Sequence, residues 1–454
     1  MVEALHFEYA LLPGGWAENV RIELDQGAIV SVRADQDAAE APHVRGAAIP
    51  GLPNLHCHAF QRGMAGLAER RGPANDSFWT WRDVMYRFVG RASPDDIEAI
   101  AAFAYMEMLE RGFTAVGEFH YIHHATDGSP FADIAEMAGR IAAAATETGI
   151  GLTLLPAFYA YGGFGGAPPA PGQRRFINTP GQFLRLVERC RSIVASLPSA
   201  AVGIAPHSLR AVTPDTLREI TDATPDGPIH IHAAEQTREV EDCVAWSGLR
   251  PVEWLLDHVK VDQRWCLIHA THMTQTETSR LAASGAVAGL CPLTEASLGD
   301  GTFNGEEFLR AGGRFGVGSD SNIEIDAAAE LRMLEYSQRL AGRSRNVMTT
   351  GEGESTGNRL FTTATLAGAQ ALSRPIGALE PGRRADIVVL DTDHPDLAST
   401  NRERWLDLWI FSAGRSAIRT VYAGGNKVVS EGRHRSRDII VARYRAALRQ
   451  LLAA

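Results

Sequence analysis

Lysine is almost missing from this chain of 454 residues: Lys260 and Lys427 are the only two, and every other one of the 44 basic residues is arginine. Net charge is −10 and no long basic run occurs, so neither nucleic acid nor an anionic membrane is an expected partner. Cysteine is scarce too. Cys57, Cys190, Cys243, Cys266 and Cys291 are scattered without paired spacing, and the N-terminal stretch has no basic segment followed by an apolar signal core. A disulfide framework is therefore excluded and a reducing cytoplasm expected. No apolar run approaches the ~20 residues that cross a bilayer. With 45% hydrophobic and 22% charged residues, what remains is the composition of a globular enzyme, long enough for a large α/β barrel and an accessory domain.

The two ends share one pattern. Val20-Arg21-Ile22-Glu23-Leu24, a turn at Asp25-Gln26-Gly27, and Ala28-Ile29-Val30-Ser31-Val32 predict a hairpin. Residues 385–390, 418–423 and 427–429 repeat the alternation, and Asp438 to Ala454 reads as a helix that packs on the barrel or on a partner subunit. Between them, short apolar strands alternate with alanine- and leucine-rich helical stretches, as in parallel β/α units. Eight strands are expected to end near His58, Phe119, Phe158, His207, Ala234, Ala270, Cys291 and Ser319. That number closes a (β/α)8 barrel, whose active site forms where strands end and loops begin. The expected division is 50–375 as barrel, with 1–49 and 376–454 as a small β-sandwich domain carrying the C-terminal helix. Two connections are long: Arg62 to Ser93, and Tyr161 to Gln182, whose glycine, proline and aromatic content suits a loop covering a site.

Ligand-type residues cluster at those strand ends. His56 and His58 lie two apart on a strand and face the same way, with Cys57 facing away. His232 and Asp320 can complete a site for one divalent ion, leaving a position open for water. A lone pair of histidines is often no more than two polar residues on a half-exposed strand, but here the other ligand types recur at later strand ends. Glu235, just past His232, is the expected general acid/base. His269 is expected to orient or polarise the attacking water, with His272 as its rival, and Asp320 can touch both ion and water. A closed structural cage is disfavoured because the set mixes a carboxylate with extra proton-transfer groups. A second ion would commonly need a carboxylated lysine as a bridge. No lysine precedes Lys260, so one ion per chain is expected unless a carboxylate such as Glu118 bridges.

The order HxH, HxxE, H, SD on a barrel flanked by split β strands resembles the amidohydrolase superfamily in its mononuclear deaminase branch, over nearly the whole chain. More narrowly, Asn54-Leu55-His56-Cys57-His58-Ala59-Phe60-Gln61-Arg62, Phe78-Trp79-Thr80-Trp81-Arg82 and Gly203-Ile204-Ala205-Pro206-His207-Ser208-Leu209-Arg210 resemble the formimidoylglutamate deiminases. The resemblance implies attack of water on the formimino carbon of N-formimino-L-glutamate, with loss of ammonia, as a step in histidine degradation. The implied substrate carries two carboxylates, and arginine grips a carboxylate through two parallel hydrogen bonds. Arg82 and Arg210, placed on loops above the barrel, are the expected anchors, with Gln61, Tyr121 and His207 adding contacts. Zinc is the expected ion, iron and manganese also fitting the ligand set, and a homodimer the expected assembly. Two rivals stand beside this reading. One is a ring deaminase of the same superfamily, acting on guanine or an adenosine derivative; the other is a non-catalytic scaffold, which would have lost ligands that this chain keeps.

Overall fold

The computed structural model describes residues 3–72, 75–398 and 401–453. Its central feature is two arcs of parallel strands. The first holds Leu52–Cys57, Phe113–His120, Gly151–Phe158 and the short pieces Ala201–Val202 and Ala205–Pro206. The second holds Ile229–Ala233, Trp265–His269, Val287–Leu290 and Arg314–Val317. Backbone bridges Ile204 to Ile229 and Ser208 to His232 join the arcs on one side, and Cys57 to Asp320 joins them on the other. On that second seam the His58 N–H donates to the Asp320 carbonyl and the Asp320 N–H to the His56 carbonyl, each at 3.0 Å. The residues that close the barrel are thus among those the sequence marks as candidate ligands.

These strands form because they are short apolar runs buried on both faces, as parallel sheets covered by helices require; in Trp265–His269, for example, no residue is exposed. The helices supply the cover. Pro180–Val194 buries Phe183, Leu186, Val187, Cys190 and Val194 on one stripe, starts with proline, and is capped by the Thr179 hydroxyl, which accepts from the Gln182 N–H. All eight strand ends fall where the sequence places them.

Both chain ends build a second sheet. Glu3–Leu12, Gly15–Asp25, Ala28–Arg33 and His43–Pro50 join Ile387–Leu390, Ile418–Ala423, Asn426–Ser430 and Arg433–His434 in one hydrogen-bonded array of eight strands. The halves meet where His43–Pro50 pairs antiparallel with Ile387–Leu390. Phe7, Val20, Ile22, Leu24, Ile29, Ile387 and Val389 form an apolar cluster of their own here. Because His43–Pro50 runs almost directly into Leu52–Cys57, this sheet fixes the approach to the first barrel strand. The terminal helix Arg437–Ala453 lies on helix Pro94–Glu110, with the Tyr444 and Phe103 rings stacked 4.0 Å apart; Arg437 also pairs with Glu110.

The two long connections are more ordered than their composition suggests. Arg62 to Ser93 contains helix Phe78–Val89, so Arg82 stands on a helix and not on a loop. After the third strand, short 3-10 turns at Phe164–Gly166 and Pro171–Gln173 precede the helix that begins at Pro180. Arg175 pins this segment. It is 1% exposed, and its guanidinium donates to the carbonyls of His124 at 2.8 Å, Val89 at 2.5 Å and Ala92 at 2.8 Å. Arg175→Met removes the donor to the buried His124 and Ala92 carbonyls, at about 1–3 kcal/mol each before relaxation, and leaves the Val89 carbonyl only the Ala92 N–H at 3.3 Å. The expected result is a thermal midpoint several degrees lower and faster proteolysis between residues 160 and 178; an unchanged midpoint would show that the segment is held elsewhere.

Candidate active site

The first, fifth and eighth strands bring four ligand groups to one point. His56, His58 and His232 are buried, with ring nitrogens within 4.8 Å of one another. His232 Nε2 lies 3.2 Å from His56 Nε2, and Asp320 Oδ1 lies 3.4 Å from Nε2 of both His56 and His58. A tetrahedral ion with bonds of about 2.0–2.1 Å sets its ligand atoms about 3.3–3.4 Å apart, so the spacing fits one such ion. The tautomers fit as well. His58 Nδ1 donates to the Phe119 carbonyl at 2.9 Å and His232 Nδ1 to the His207 carbonyl at 2.8 Å, which leaves each Nε2 lone pair turned to the shared point. Burial, reinforced by the neighbouring imidazoles, lowers the pKa of His56 and of His232; burial also lowers that of His58, against the pull of Asp320. Neutral imidazole is the form that ligates.

Glu118, the carboxylate that could bridge to a second ion, is engaged elsewhere. One of its oxygens accepts from the Ala59 N–H at 3.0 Å and the other from the Tyr105 hydroxyl at 3.0 Å. Cys57 faces away from the ligands, with its Sγ 3.4 Å from the Asn322 amide nitrogen.

Glu235 and His269 stand beside the ligands. His269 Nε2 is 3.7 Å from Glu235 Oε1 and 3.8 Å from Asp320 Oδ2, while its Nδ1 lies 3.2 Å from Glu295 Oε1. Burial alone would depress this imidazole, but the carboxylates of Glu235, Glu295 and Asp320 outweigh it and hold the pKa at about 10. Burial raises the pKa of the Glu235 carboxyl against the opposing charges of His269 and Arg210, the direction that suits a group which must give a proton as well as take one. The rival His272 is absent from the cavity wall.

The cavity over this cluster is lined by His58, Gln61, Arg82, Tyr121, His207, Arg210, Glu235, His269 and Asp320, together with the aromatic rings of Phe78, Trp81, Tyr86, Tyr159 and Phe176. All five expected substrate contacts therefore meet in one space. The Gln61 amide donates to the Tyr121 hydroxyl at 2.9 Å, and its Oε1 is buried without a partner. Arg82 Nε and Arg210 Nε are likewise buried and unpartnered. The acid nearest Arg210 is Glu235, at 3.8 Å, and Arg82 forms no ion pair among the described residues. Gly162, from the glycine-rich connection, supplies part of the wall.

Sequence reasoning missed the residues that hold this set in place. The Asn54 side chain donates to Ser319 Oγ at 2.7 Å and accepts from the Ser319 N–H at 3.0 Å. Ser319 Oγ donates in turn to Asn322 at 2.6 Å, and the Asn322 amide donates to the carbonyls of His58 at 3.0 Å and Asp320 at 2.9 Å. Glu239 accepts from the Ala234 and Glu235 N–H groups at 3.3 and 3.0 Å. Ala234, His269, Asp320 and Asn322 all have left-handed backbone, with φ of 54°, 69°, 43° and 56°. Such conformations persist only where surrounding contacts over-determine them. Asn322 was the readable signal, since asparagine tolerates this region better than other non-glycine residues.

Comparison with known proteins agrees with this geometry. The profile of the amidohydrolase family matches residues 47–428, and that of the formimidoylglutamate deiminase HutF N-terminal domain matches residues 2–44. The chain is 50% identical to a formimidoylglutamate deiminase of Pseudomonas aeruginosa, over 99% of this chain and 100% of that one. The crystal structure of an amidohydrolase from Brucella melitensis superposes with a TM-score of 0.95 at 54% identity, covering 99% and 100% of the two chains. A zinc-bound adenosine deaminase from Xanthomonas campestris shares the fold, with a TM-score of 0.81 at 21% identity over 99% and 98% of the chains. This chain belongs to the amidohydrolase family, on the branch that carries the N-terminal domain of the formimidoylglutamate deiminases.

Proposed function

We propose that the chain hydrolyses N-formimino-L-glutamate to N-formyl-L-glutamate and ammonia, in histidine degradation. The observation that carries this reading is the pair Arg82 and Arg210, both lining the cavity over the ligand cluster, each with a buried, unpartnered Nε donor. A substrate with two carboxylates satisfies them. The 50% identical deiminase of P. aeruginosa supports the same substrate.

A divalent ion held by His56, His58, His232 and Asp320 would act as a Lewis acid and make a water acidic enough to lose its proton near neutrality. Zinc is the proposed ion, as named for the Xanthomonas neighbour; one ion per chain is supported by the engaged Glu118 and the lack of any lysine before Lys260. The protein groups do the rest. Asp320, with His269 at its second oxygen, takes the proton of the attacking water as the water oxygen bonds to the formimino carbon. Glu235 protonates the imino nitrogen during addition, then passes the hydroxyl proton of the tetrahedral carbon to the same nitrogen. The C–N bond breaks, ammonia leaves, the formyl C=O remains, and return of the proton held on Asp320 to Glu235, past His269 between them, restores both groups.

The same proposal includes a reducing cytoplasmic setting, supported by five unpaired, buried cysteines. It divides the chain into 1–49 with 376–454 as a β-sandwich domain and 50–375 as barrel, supported by the separate apolar cluster of the end sheet. It also includes a homodimer, supported by Ile439 and Leu452, which are 66% and 52% exposed on the terminal helix.

The aromatic wall favours one second reading, a ring deaminase. Ammonia release from N-formimino-L-glutamate, N-formimino-L-aspartate and guanine by zinc-reconstituted protein separates the two: selective turnover of the glutamate compound is expected, and turnover of guanine alone would overturn the proposal. Arg82→Met and Arg210→Met are each expected to raise KM by about 10- to 100-fold, the worth of a charge-assisted hydrogen-bond pair, with a smaller effect on kcat. Unchanged kinetics would place the carboxylates elsewhere.

A further inference from the structure

Two guanidinium groups converge on one cavity: Arg82 has no ion pair among the described residues, and Arg210 feels the charges of Glu239 and Glu235, the latter at 3.8 Å and outside hydrogen-bond contact, so other groups must help to fix these long side chains. The Arg82 Cζ lies 4.5 Å from the centroid of the Trp79 ring, the Arg210 Cζ 5.8 Å and the Arg238 Cζ 4.9 Å. Three cations thus surround one indole. Trp79 stands in the first turn of helix Phe78–Val89, half-buried, and is not part of the cavity wall that its neighbours Phe78, Trp81 and Arg82 help to form. Arg238, on the outer side, is 64% exposed and lies 3.7 Å from Asp242.

We propose that Trp79 is a positioning residue for substrate, holding Arg82 and Arg210 by their faces so that the N–H edges of both stay free for carboxylates. The inference rests on the reading of Arg82 and Arg210 given above. A carboxylate holding either arginine would occupy its planar fork of donors, the same fork that must grip the substrate. An aromatic face attracts the cation through the ring quadrupole and uses no N–H donor. It also offsets the mutual repulsion of two like charges facing one cavity. The unpartnered Nε atoms of both arginines are what this arrangement requires. Tyr86, 5.5 Å from the Arg82 Cζ, and Phe78, 6.0 Å from the Arg210 Cζ, extend the platform, but Trp79 is the ring that both arginines share.

The test compares Trp79→Met, which fills space without a π face, with Trp79→Phe, which keeps a weaker one. For N-formimino-L-glutamate, KM is expected to rise about tenfold in the methionine variant and about two- to threefold in the phenylalanine variant, with kcat within about twofold of wild type. The inhibition constant of N-formyl-L-glutamate should follow the same order, and that of N-methylformamide, which has no carboxylate, should not move. An unchanged KM in Trp79→Met, equal losses for the charged and neutral inhibitors, or a fall in kcat in place of a rise in KM would overturn the proposal. Should Trp79→Met prove unstable, the smaller KM rise in Trp79→Phe decides alone. Should wild-type protein leave N-formimino-L-glutamate unhydrolysed, the reading of the substrate fails first; calorimetric binding of glutarate then decides the role of Trp79. Weaker binding to the variants supports it, and equal or no binding to all three proteins overturns it.

Discussion

Glu235→Gln keeps its metal and loses turnover by about 10²- to 10⁴-fold, the range expected for a positioned acid/base. The amide matches the carboxyl in size, and the backbone beneath it is held by Glu239, so the side chain stays in place. What disappears is the ability to receive a proton and give it up again. In the native protein burial raises the pKa of the Glu235 carboxyl above its ordinary value, which brings protonation within easier reach at neutral pH. Its oxygens face His269 at 3.7 Å and Arg210 at 3.8 Å, between the group proposed to flank the attacking water and the group proposed to anchor substrate. A proton carrier belongs at that place. The check is kcat on N-formimino-L-glutamate beside metal content by mass spectrometry; full turnover in a metal-loaded variant would remove Glu235 from the proton path.

Much of this was legible because barrel geometry converts sequence order into spatial convergence. A side chain at the end of any parallel strand faces the same mouth, so the candidate ligands His56, His58, His232 and Asp320 and the candidate catalytic His269 could be assembled without knowing a single helix packing angle. That Arg82 and Arg210 would reach the cavity was legible, but not that Arg82 would do so from a helix. The segment around Arg82 is rich in aromatic residues, which are weak helix formers, and its helix forms only because Phe78, Met85, Phe88 and Val89 are buried against the rest of the fold. Tertiary burial overrode propensity.

The supporting contacts were not legible, for a different reason. Asn54 and Ser319 are separated by 265 residues and meet only because the first and eighth strands are neighbours across the seam. Arg175 reads as one more arginine in a polar connection, yet it is almost wholly buried with its donors on backbone carbonyls. Carbonyls leave no mark in a sequence, so a side chain that serves them has no partner to be recognised by. In the sequence Trp79 is one aromatic residue among several in its motif; its closeness to three arginines follows from a helix that composition did not announce.

Asp320→Asn is expected to do what Glu235→Gln does not, lowering metal content and turnover together. The Asp320 carboxylate lies 3.4 Å from Nε2 of His56 and of His58 through one oxygen, and 3.8 Å from His269 through the other. Its backbone is pinned in the left-handed region by pairing with His56 and His58 across the seam and by the Asn322 amide, so the substituted side chain should keep its location. An amide there brings no negative charge to offset a divalent ion among neutral imidazoles, and it cannot accept the proton of an attacking water. The first loss weakens metal retention; the second removes about 10²- to 10⁴-fold in rate even when metal is restored in excess. Measuring kcat against added zinc separates the two. Recovery to wild-type rate at saturating zinc would leave Asp320 as a ligand only and return the proton to Glu235 or His269, whereas a rate that plateaus far below wild type assigns Asp320 both roles, as its two differently placed oxygens require.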